Sequence, residues 1–121
     1  MAGNPNIVGV TAIYGYTAGL AVPITATAIV SNAGSSGLVY KVNSLYVGNI
    51  DTSASYKITV SVVKGSTPYR MLYQIAIPAG AGLDVLSKAV YLQEGDSLQL
   101  TADTVSKLEA VCSYETIAGP P

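Results

Sequence analysis

The fold class of this chain is decided by the stretch Tyr56-Lys57-Ile58-Thr59-Val60-Ser61-Val62-Val63-Lys64. Its apolar residues recur at alternate positions, which is the period of a β-strand with one face on a core and the other in water. A tight turn at 65–68 separates this stretch from a second β-rich run at 69–77. The two runs and their turn predict a β-hairpin.

Short strands and turns continue from this hairpin toward both ends of the chain. Gly, Pro, Asn and Ser interrupt the β-branched runs too often for helices of ordinary length. We therefore predict an all-β fold of about eight short strands, an antiparallel β-sandwich or jelly roll. Two facing sheets are needed because no helix is available to cover a single sheet. The other predicted strands are 7–16, 22–31, 38–48, 83–85, 89–92, 97–102 and 108–117.

Two further predictions concern the end of the first strand and the inward face of the third. Thr-Ala-Gly at 17–19 predicts a turn after the first strand. In 38–48 both alternating faces are partly apolar, so the sequence leaves open which face of this strand points inward.

The predicted domain covers residues 7–117 and has a flexible segment on each side. Residues 1–6 contain Gly, Pro and two Asn, which predicts a loose N-terminal arm. Residues 118–121 predict a flexible tail, because the two prolines lack the backbone donor that a sheet requires.

The charge balance of the chain excludes several kinds of partner. Only 11% of the 121 residues are charged, and the net charge is −1. This gives no indication of nucleic-acid or membrane binding. The N-terminal residues lack the features of a secretory signal, so we expect a protein made and kept in a cytosol. The neutral surface has two interpretations, burial in an assembly or solvation by Ser, Thr, Asn and Gly.

No catalytic apparatus is recognisable in the sequence. The chain has no histidine and one cysteine, Cys112, which excludes His-dependent triads, His-ligated metals and an internal disulfide. Glu94 and Asp96 flank Gly95 and could share a calcium ion, but a solubilising turn is favoured because no further acids are nearby. A glycosidase carboxylate pair lacks a pocket signature. We predict no enzyme activity, no cofactor and no metal, with Cys112 buried and inert.

A set of cations and tyrosines near the predicted hairpin is a candidate ligand patch. Cations interleaved with tyrosines bind single-stranded nucleic acid or sugar chains in other proteins. A solvated strand face is favoured here because the acids outnumber the bases. The set comprises Lys57, Lys64, Arg70, Tyr56, Tyr69 and Tyr73.

Tyrosine is the sole aromatic residue of the chain and occurs nine times. Tyr14 and Tyr16 are predicted to share one face of the first strand, and Tyr40 and Tyr46 one face of the third. Cross-strand packing is favoured over a subunit contact, because a core without Phe or Trp needs aromatic volume. Under the subunit-contact interpretation, the candidate interface residues are Asn4, Pro5, Ile7, Tyr14, Tyr16, Tyr40 and Tyr46.

Several runs of strand and turn residues resemble a known family over nearly the whole chain after the arm. They include Tyr-Lys-Val-Asn-Ser-Leu-Tyr-Val at 40–47, Asn-Ile-Asp at 49–51, Ile-Pro-Ala-Gly at 77–80, Val-Tyr-Leu-Gln-Glu-Gly-Asp-Ser-Leu at 90–98, and Leu-Glu-Ala-Val-Cys-Ser-Tyr-Glu at 108–115. The sequence resembles small β-sandwich virion structural proteins of tailed bacteriophages, including those of cyanobacteria.

This resemblance implies a particle component rather than an enzyme. The expected roles are a capsid decoration or cement protein, or an accessory protein of the neck or tail. The expected partners are further copies of the chain and other virion proteins, namely major capsid, portal, neck or tail proteins. The expected location is the virion, after synthesis in the host cytoplasm. The alternative is a carbohydrate- or receptor-binding module of a tail fibre, motivated by the tyrosines and cations of the hairpin.

Overall fold

The computed structural model describes residues 12–118, which form nine β-strands. Every strand pair is antiparallel. Among residues 12–118, no helix is long and apolar enough to cross a membrane. The strands are β1 (Ala12–Ala21), β2 (Thr27–Ser31), β3 (Leu38–Asn49), β4 (Tyr56–Lys64), β5 (Thr67–Ile77), β6 (Gly82–Asp84), β7 (Val90–Leu92), β8 (Ser97–Ala102) and β9 (Leu108–Ala118).

The strands form two sheets whose order defines a jelly roll. The first sheet, called sheet A here, has the order β1-β9-β3-β6, with β7 also paired to β3. The second sheet, sheet B, has the order β2-β8-β4-β5. Strands β6 and β7 pair with opposite halves of β3 and together occupy one strand position. The molecule therefore has the eight strand positions of a double Greek key, and the predicted all-β sandwich is confirmed.

The core between the sheets is built from aliphatic side chains, with three tyrosines packed at its margins. Alternation within each strand directs every second side chain inward, where the two sheets share one apolar layer. Tyr40, Tyr56 and Tyr114 are only partly buried against this layer. The core comprises Val22, Val30, Val42, Leu45, Val47, Ile58, Val60, Ile77, Leu86, Leu92, Leu98, Leu100, Ala102, Leu108, Ala110 and Cys112.

The hairpin that decided the fold class has the predicted strand β4, with bounds at Tyr56 and Lys64. Gly65 and Ser66 form its two-residue loop, in which Gly65 has a φ of 66°. This positive φ suits the first position of a primed turn. The outward face of β4 is less exposed than the alternation predicts, because Ser61 and Val63 are also buried.

The predicted turn at 17–19 is wrong. β1 pairs with β9 in one unbroken register from Ala12 opposite Ala118 to Ala21 opposite Glu109. Gly19 therefore lies in the ladder, opposite Val111. Turn composition alone does not end a strand when a complete partner strand is present beside it.

The predicted strand at 22–31 begins later than expected, at Thr27, because the preceding residues cross between the sheets. The Val22 N–H donates to the carbonyl of Leu108 in sheet A at 2.9 Å. The carbonyl of Pro23 accepts from the N–H of Ala102 in sheet B at 2.8 Å. These two bonds hold the crossing segment at the end of both sheets.

A β-bulge in β3 explains why neither of its faces is uniformly apolar. The register with β9 shifts between Val42 and Ser44, which leaves Asn43 as the extra residue. Val42 is buried before the bulge, and Leu45 and Val47 are buried after it. The inward positions thus change from even to odd numbers within one strand. As a result, Tyr40 and Tyr46 do not share a face, and that prediction is wrong.

Candidate assembly interface

Two of the predicted interface tyrosines, Tyr16 and Tyr40, stack at one corner of sheet A on a third tyrosine, Tyr114. Tyr16 lies opposite Tyr114 in the β1–β9 ladder, and their ring centroids are 5.4 Å apart at an interplanar angle of 23°. Tyr40 of β3 stacks on the other side of Tyr114, with centroids 5.6 Å apart at 16°. Tyr14 lies two residues from Tyr16 on the same face of β1. The four residues are called the tyrosine row below.

The tyrosine row is on the core-facing side of sheet A, beyond the area that sheet B covers. Tyr114 continues the inward alternation of Leu108, Ala110 and Cys112 in β9. Nevertheless, Tyr14 is 61% exposed and Tyr16 is 48% exposed. Burial, followed by the neighbouring tyrosines, raises the pKa of Tyr114, so its hydroxyl stays neutral through the physiological range.

Tyr46 lies on the opposite face of sheet A. It pairs with Val111 of β9 and Asp84 of β6, and both Tyr46 and Val111 are about half exposed. The candidate residues Asn4, Pro5 and Ile7 lie outside the described residues. The structure thus places Tyr14, Tyr16 and Tyr40 on one face of sheet A, and Tyr46 on the other.

Among residues 12–118, the β1 strand forms an edge of sheet A without the charge, proline or bulge that usually protects an edge against strand addition. Within the described residues, β1 pairs on one side only, with β9. Its ten residues contain no charge and no proline, and its ladder contains no bulge. A long, regular, uncharged edge of this kind presents unpaired N–H and C=O groups to any further strand.

The other three edges of the sandwich are each blunted. β5 is long, but it contains Pro68 and Arg70 and its register with β4 shifts twice. β2 has five residues and a register shift, and β6 and β7 have three residues each. Shortness, proline, charge and bulges are the devices by which edges avoid pairing. The contrast singles out β1.

The uncharged character of β1 extends to β2 and to the segment between these two strands. No charged side chain occurs in the sequence before Lys41, so β1, β2 and the segment between them are all free of charge. The opposite flank, formed by β5 to β7, contains Arg70, Asp84 and Lys88. The low overall charge is therefore distributed unevenly, a signal that the sequence already contains.

Two buried asparagines fix the loops around the sandwich. The amide of Asn32 donates to the carbonyls of Leu38 and Leu92 at 2.9 and 3.0 Å. The amide of Asn49 donates to the carbonyls of Ala54 and Ile77, both at 2.9 Å. Each amide thus joins two backbone carbonyls that are distant in the sequence or lie at the ends of strands and loops.

Asp51 anchors a polar cluster that the sequence interpretation missed. Its carboxylate accepts bonds from the backbone N–H and hydroxyl of Ser53, both at 2.8 Å, and from the Tyr56 hydroxyl at 2.9 Å. Lys107 lies 3.0 Å from the same carboxylate. The bonds from Ser53, then those from Lys107 and Tyr56, hold the pKa of Asp51 well below its usual range. The available signal was the Asp-Thr-Ser spacing of an Asx turn.

The acidic turn at 93–96 does not gather ligands for a metal. The Asp96 carboxylate is buried and accepts from the Lys64 ammonium at 2.7 Å and from the Gln93 N–H at 3.0 Å. The Glu94 carboxylate accepts from the Gly37 N–H at 2.7 Å. Gly95 has a φ of 86°, as a turn glycine requires. No cluster of three metal-binding side chains occurs among residues 12–118.

The cations of the hairpin do not form one patch. Lys64 is engaged with Asp96, and the ammonium of Lys107, rather than that of Lys57, lies over the Tyr56 ring. The Arg70 guanidinium lies over the Tyr73 ring at 5.3 Å. What remains on the surface is a smaller group, Tyr69, Arg70 and Tyr73 of β5.

Cys112 is fully buried in β9. Desolvation raises the pKa of its thiol to about 11, so the reactive thiolate is rare near neutral pH. This agrees with the predicted inert packing role.

Residues 12–118 form a jelly roll in which β1 is a long, regular edge strand, and a similar fold occurs among solved structures. No protein-family model and no curated protein matches the chain. The Bacillus endospore appendages that form a family of disulfide-linked pili are similar over 91% of this chain and 88% of theirs, with a TM-score of 0.53 and 13% identity. At this identity the likeness shows a shared fold and nothing about function.

Two phage capsid structures are also similar, more weakly. A chain of the cyanophage Pam1 capsid asymmetric unit is similar over 98% of this chain and 92% of its own length, with a TM-score of 0.45 and 12% identity. A pentameric capsid protein from metagenomic phage sequences is similar over 94% of this chain and 62% of its own length, with a TM-score of 0.36 and 16% identity. TM-scores below 0.5 do not establish a shared fold.

Proposed function

We propose that this chain is a non-enzymatic structural subunit of a tailed-phage virion. It assembles with copies of itself and with other virion proteins through the β1 edge and the adjoining tyrosine row. Its finer role is that of a capsid decoration or cement protein, or of a neck or tail accessory protein. The observation that carries the proposal is the β1 edge, which among residues 12–118 is the long edge strand without charge, proline or bulge, whereas the other edges are short, charged or irregular.

The β1 edge offers both hydrogen bonding and apolar area to a partner. A strand added to β1 would satisfy its unpaired backbone groups, as in β-strand addition. Ile13, Tyr14 and Tyr16 would lose exposed area at the same time. Full burial of a large apolar side chain contributes about 1.5–3 kcal/mol, so three side chains and a ladder make a productive contact.

The virion part of the proposal is supported by the sequence resemblance to phage structural proteins. The fold is compatible with it, because jelly rolls are frequent in viral capsids, although they also occur in lectins and cupins. The Bacillus appendage shares this fold and forms pili, so the fold also occurs in a protein that polymerises. Synthesis in the host cytoplasm followed by incorporation into the particle belongs to the same proposal.

Two measurements test this function together. Size-exclusion chromatography with light scattering on the purified chain gives its oligomeric state, and mass spectrometry of purified phage particles gives its presence and copy number. We expect an oligomer in solution and many copies per particle. A monomer that is absent from particles would contradict the proposal.

A carbohydrate-binding role on a tail fibre is the second candidate, and β5 carries the observation that favours it. Tyr69 and Tyr73 are each 60% exposed, and Arg70 packs over Tyr73. Exposed aromatic rings beside a cation suit the apolar face and hydroxyl groups of a sugar. A glycan array probed with the oligomer tests this role, with the Tyr69→Ala/Tyr73→Ala variant as control. Binding that the variant loses would favour the fibre role, and an array without signal would remove it.

A further inference from the structure

The outer face of sheet A, which is turned away from sheet B, has exposed apolar side chains near its centre. Tyr46 of β3 pairs with Val111 of β9, and Tyr91 of β7 pairs with Lys41 of β3 on the same face. The side chains of Tyr46, Tyr91 and Val111 are each at least half exposed. On sheet B, the outward positions of β4 and β8 carry no exposed large apolar side chain: Lys57, Thr59, Ser61, Val63, Ser97, Gln99 and Thr101. The outer face of sheet A is therefore better suited to a protein contact.

The charges on the two central strands of this face have opposite signs. Lys41 of β3 lies directly opposite Glu115 of β9, and both side chains are partly buried. The Glu115 carboxylate accepts from the Asn43 amide at 3.2 Å. Among residues 12–118, no carboxylate lies within salt-bridge distance of the Lys41 ammonium. Lys41 is thus available to a carboxylate of another molecule.

A two-fold axis that runs along the strands, between β3 and β9, would bring this face onto the same face of a second copy. The axis exchanges the two central strands, so that β3 of one copy covers β9 of the other. In the same way β1 covers the strand position that β6 and β7 share. The strand directions are retained, which corresponds to aligned sheet packing at a crossing angle of about 30°. Such an isologous contact has the commonest symmetry of homo-oligomers.

The register makes the two central strands complementary to each other about this axis. Lys41 of one copy lies over Glu115 of the second copy, and the symmetric pair forms at the same time. Tyr46 likewise lies over Val111 of the second copy, again twice. The contact therefore joins opposite charges in one row of residues and apolar side chains in another.

The margins of the face are also complementary, because glycines lie where larger side chains of the second copy arrive. Tyr91 comes to lie over Gly15 of β1, which occupies the same row as Lys41 and Glu115. A Cβ atom at Gly15 would have no heavy atom within 4 Å, so this position is an open depression. The remaining acids of the face, Asp84 and Glu109, also lie over glycines rather than over acids: Gly19 and Gly48.

We propose that two copies of the chain pack through the outer faces of sheet A about this two-fold axis. The face is four strand positions wide and about ten residues long, which gives about 19 Å by about 33 Å, or about 600 Å² per copy. This area is at the low end for specific interfaces, so we expect a dissociation constant on the order of micromolar. The contact uses neither the backbone of the β1 edge nor the tyrosine row, and it does not depend on the virion role.

Charge reversal at Lys41 and Glu115 tests the contact, because each copy contributes both members of the pair. Lys41→Glu alone places carboxylates opposite each other between the copies, and Glu115→Lys alone places ammonium groups opposite each other. A 1:1 mixture of these two variants restores opposite charges between the copies, while the like charges remain within each chain. Recovery in the mixture therefore separates a contact between copies from a change within one chain. The double variant restores both relationships.

Sedimentation equilibrium and native mass spectrometry measure self-association from about 1 μM to about 1 mM. We expect each single variant to dimerise at least about tenfold more weakly than the parent chain, and the mixture and the double variant to recover to within about threefold. Lys57→Glu, on the outer face of sheet B, is the matched control and should dimerise like the parent.

A neutral substitution gives a second, steric test. The Gly15→Leu side chain has room in the isolated chain but fills the depression that Tyr91 of the second copy would enter. We expect the melting temperature of the monomer to be kept or raised, since glycine disfavours a strand, and dimerisation to weaken at least about tenfold. Unchanged dimerisation of Gly15→Leu would overturn the proposal.

Four other results would overturn it too. Single charge reversals that associate like the parent would leave assembly through the β1 edge standing. A loss that the mixture does not recover would mean that the reversals act within the chain. A parent chain that is monomeric at about 1 mM but present in particles would leave the virion role standing. Cross-linking of Lys41 in particles to a different protein, and not to a second copy, would identify another occupant of the face.

Discussion

The ring of Tyr16 at the open edge of sheet A stacks on the ring of Tyr114, with centroids 5.4 Å apart. This contact connects the exposed β1 strand to β9, its partner in the ladder. Tyr114 in turn stacks on Tyr40 of β3, so three neighbouring strands are joined by one row of rings. Tyr114 therefore lies between two other rings and is partly buried, whereas Tyr16 is exposed at the sheet edge. Mutations should separate the contribution of Tyr114 to stability from the availability of Tyr16 for a subunit contact.

Substitution of the central tyrosine should affect stability most. Tyr114→Ala removes two ring contacts and partly buried volume, and we expect a loss of about 2–4 kcal/mol in the free energy of unfolding. Tyr16→Ala removes one contact of an exposed ring, and we expect about 1 kcal/mol or less. Urea denaturation of both variants checks the order. Equal losses would show that the row does not act as described.

The bulge in β3 makes a prediction about deletions. Removal of Asn43 should keep the fold, because the residues on either side of the bulge retain their inward or outward direction when the extra residue is lost. Removal of Tyr46 is the matched control, an exposed residue in the same strand. It would turn Val47 and Asn49 outward, and we expect that variant to be unfolded. Circular dichroism and melting curves give the comparison, and a stable Tyr46 deletion would contradict the assigned register.

The loop tether at Asn49 should be costly to remove. Asn49→Ala leaves the carbonyls of Ala54 and Ile77 without their donor, and we expect a loss of about 2–4 kcal/mol. Asn43→Ala, at an exposed position, should lie within about 0.5 kcal/mol of the parent. Chemical denaturation measures both. A neutral Asn49→Ala variant would mean that water replaces the tether.

Acid should weaken the fold through Asp51. Its folded pKa is lowered, so its stabilising contribution is complete above the unfolded pKa of about 4 and is lost as the pH falls from there toward the folded value. Asp51→Asn should flatten this part of the stability curve. Ser53→Ala removes a hydroxyl bond to the carboxylate and should move the acid transition to higher pH. Denaturant midpoints measured between pH 5 and pH 2 test this prediction. If the midpoint of Asp51→Asn fell with pH as steeply as that of the parent chain, the prediction would be contradicted.

Local patterns predicted the parts of the fold that depend on neighbouring residues. Alternation gave the bounds of β4 and β8, and the fold class followed from the spacing of strands and turns. The turn predicted at 17–19 failed because the ladder with β9, distant in sequence, decides the extent of β1. The faces of β3 could not be assigned, since a bulge changes the alternation without a composition signal of its own.

In the candidate interface, too, some features follow from local sequence patterns and others only from the pairing of distant strands. Tyr14 and Tyr16 share a face by their spacing alone, and the structure confirms it. The stacking of Tyr16 and Tyr40 on Tyr114 depends on the strand order β1-β9-β3, which no local pattern contains. The openness of the β1 edge likewise follows from topology, whereas its lack of charge could be seen in the sequence.

The most direct test of assembly through the β1 edge is amide hydrogen exchange across residues 12–21, measured for the oligomer and for a diluted or dissociated sample. In the monomer, amides bonded to β9 should be protected and the alternate amides on the open side should exchange rapidly. In the oligomer, we predict that the open-side amides become protected as well. An oligomer in which these amides still exchange rapidly would contradict the account, because its subunits would be joined through another surface.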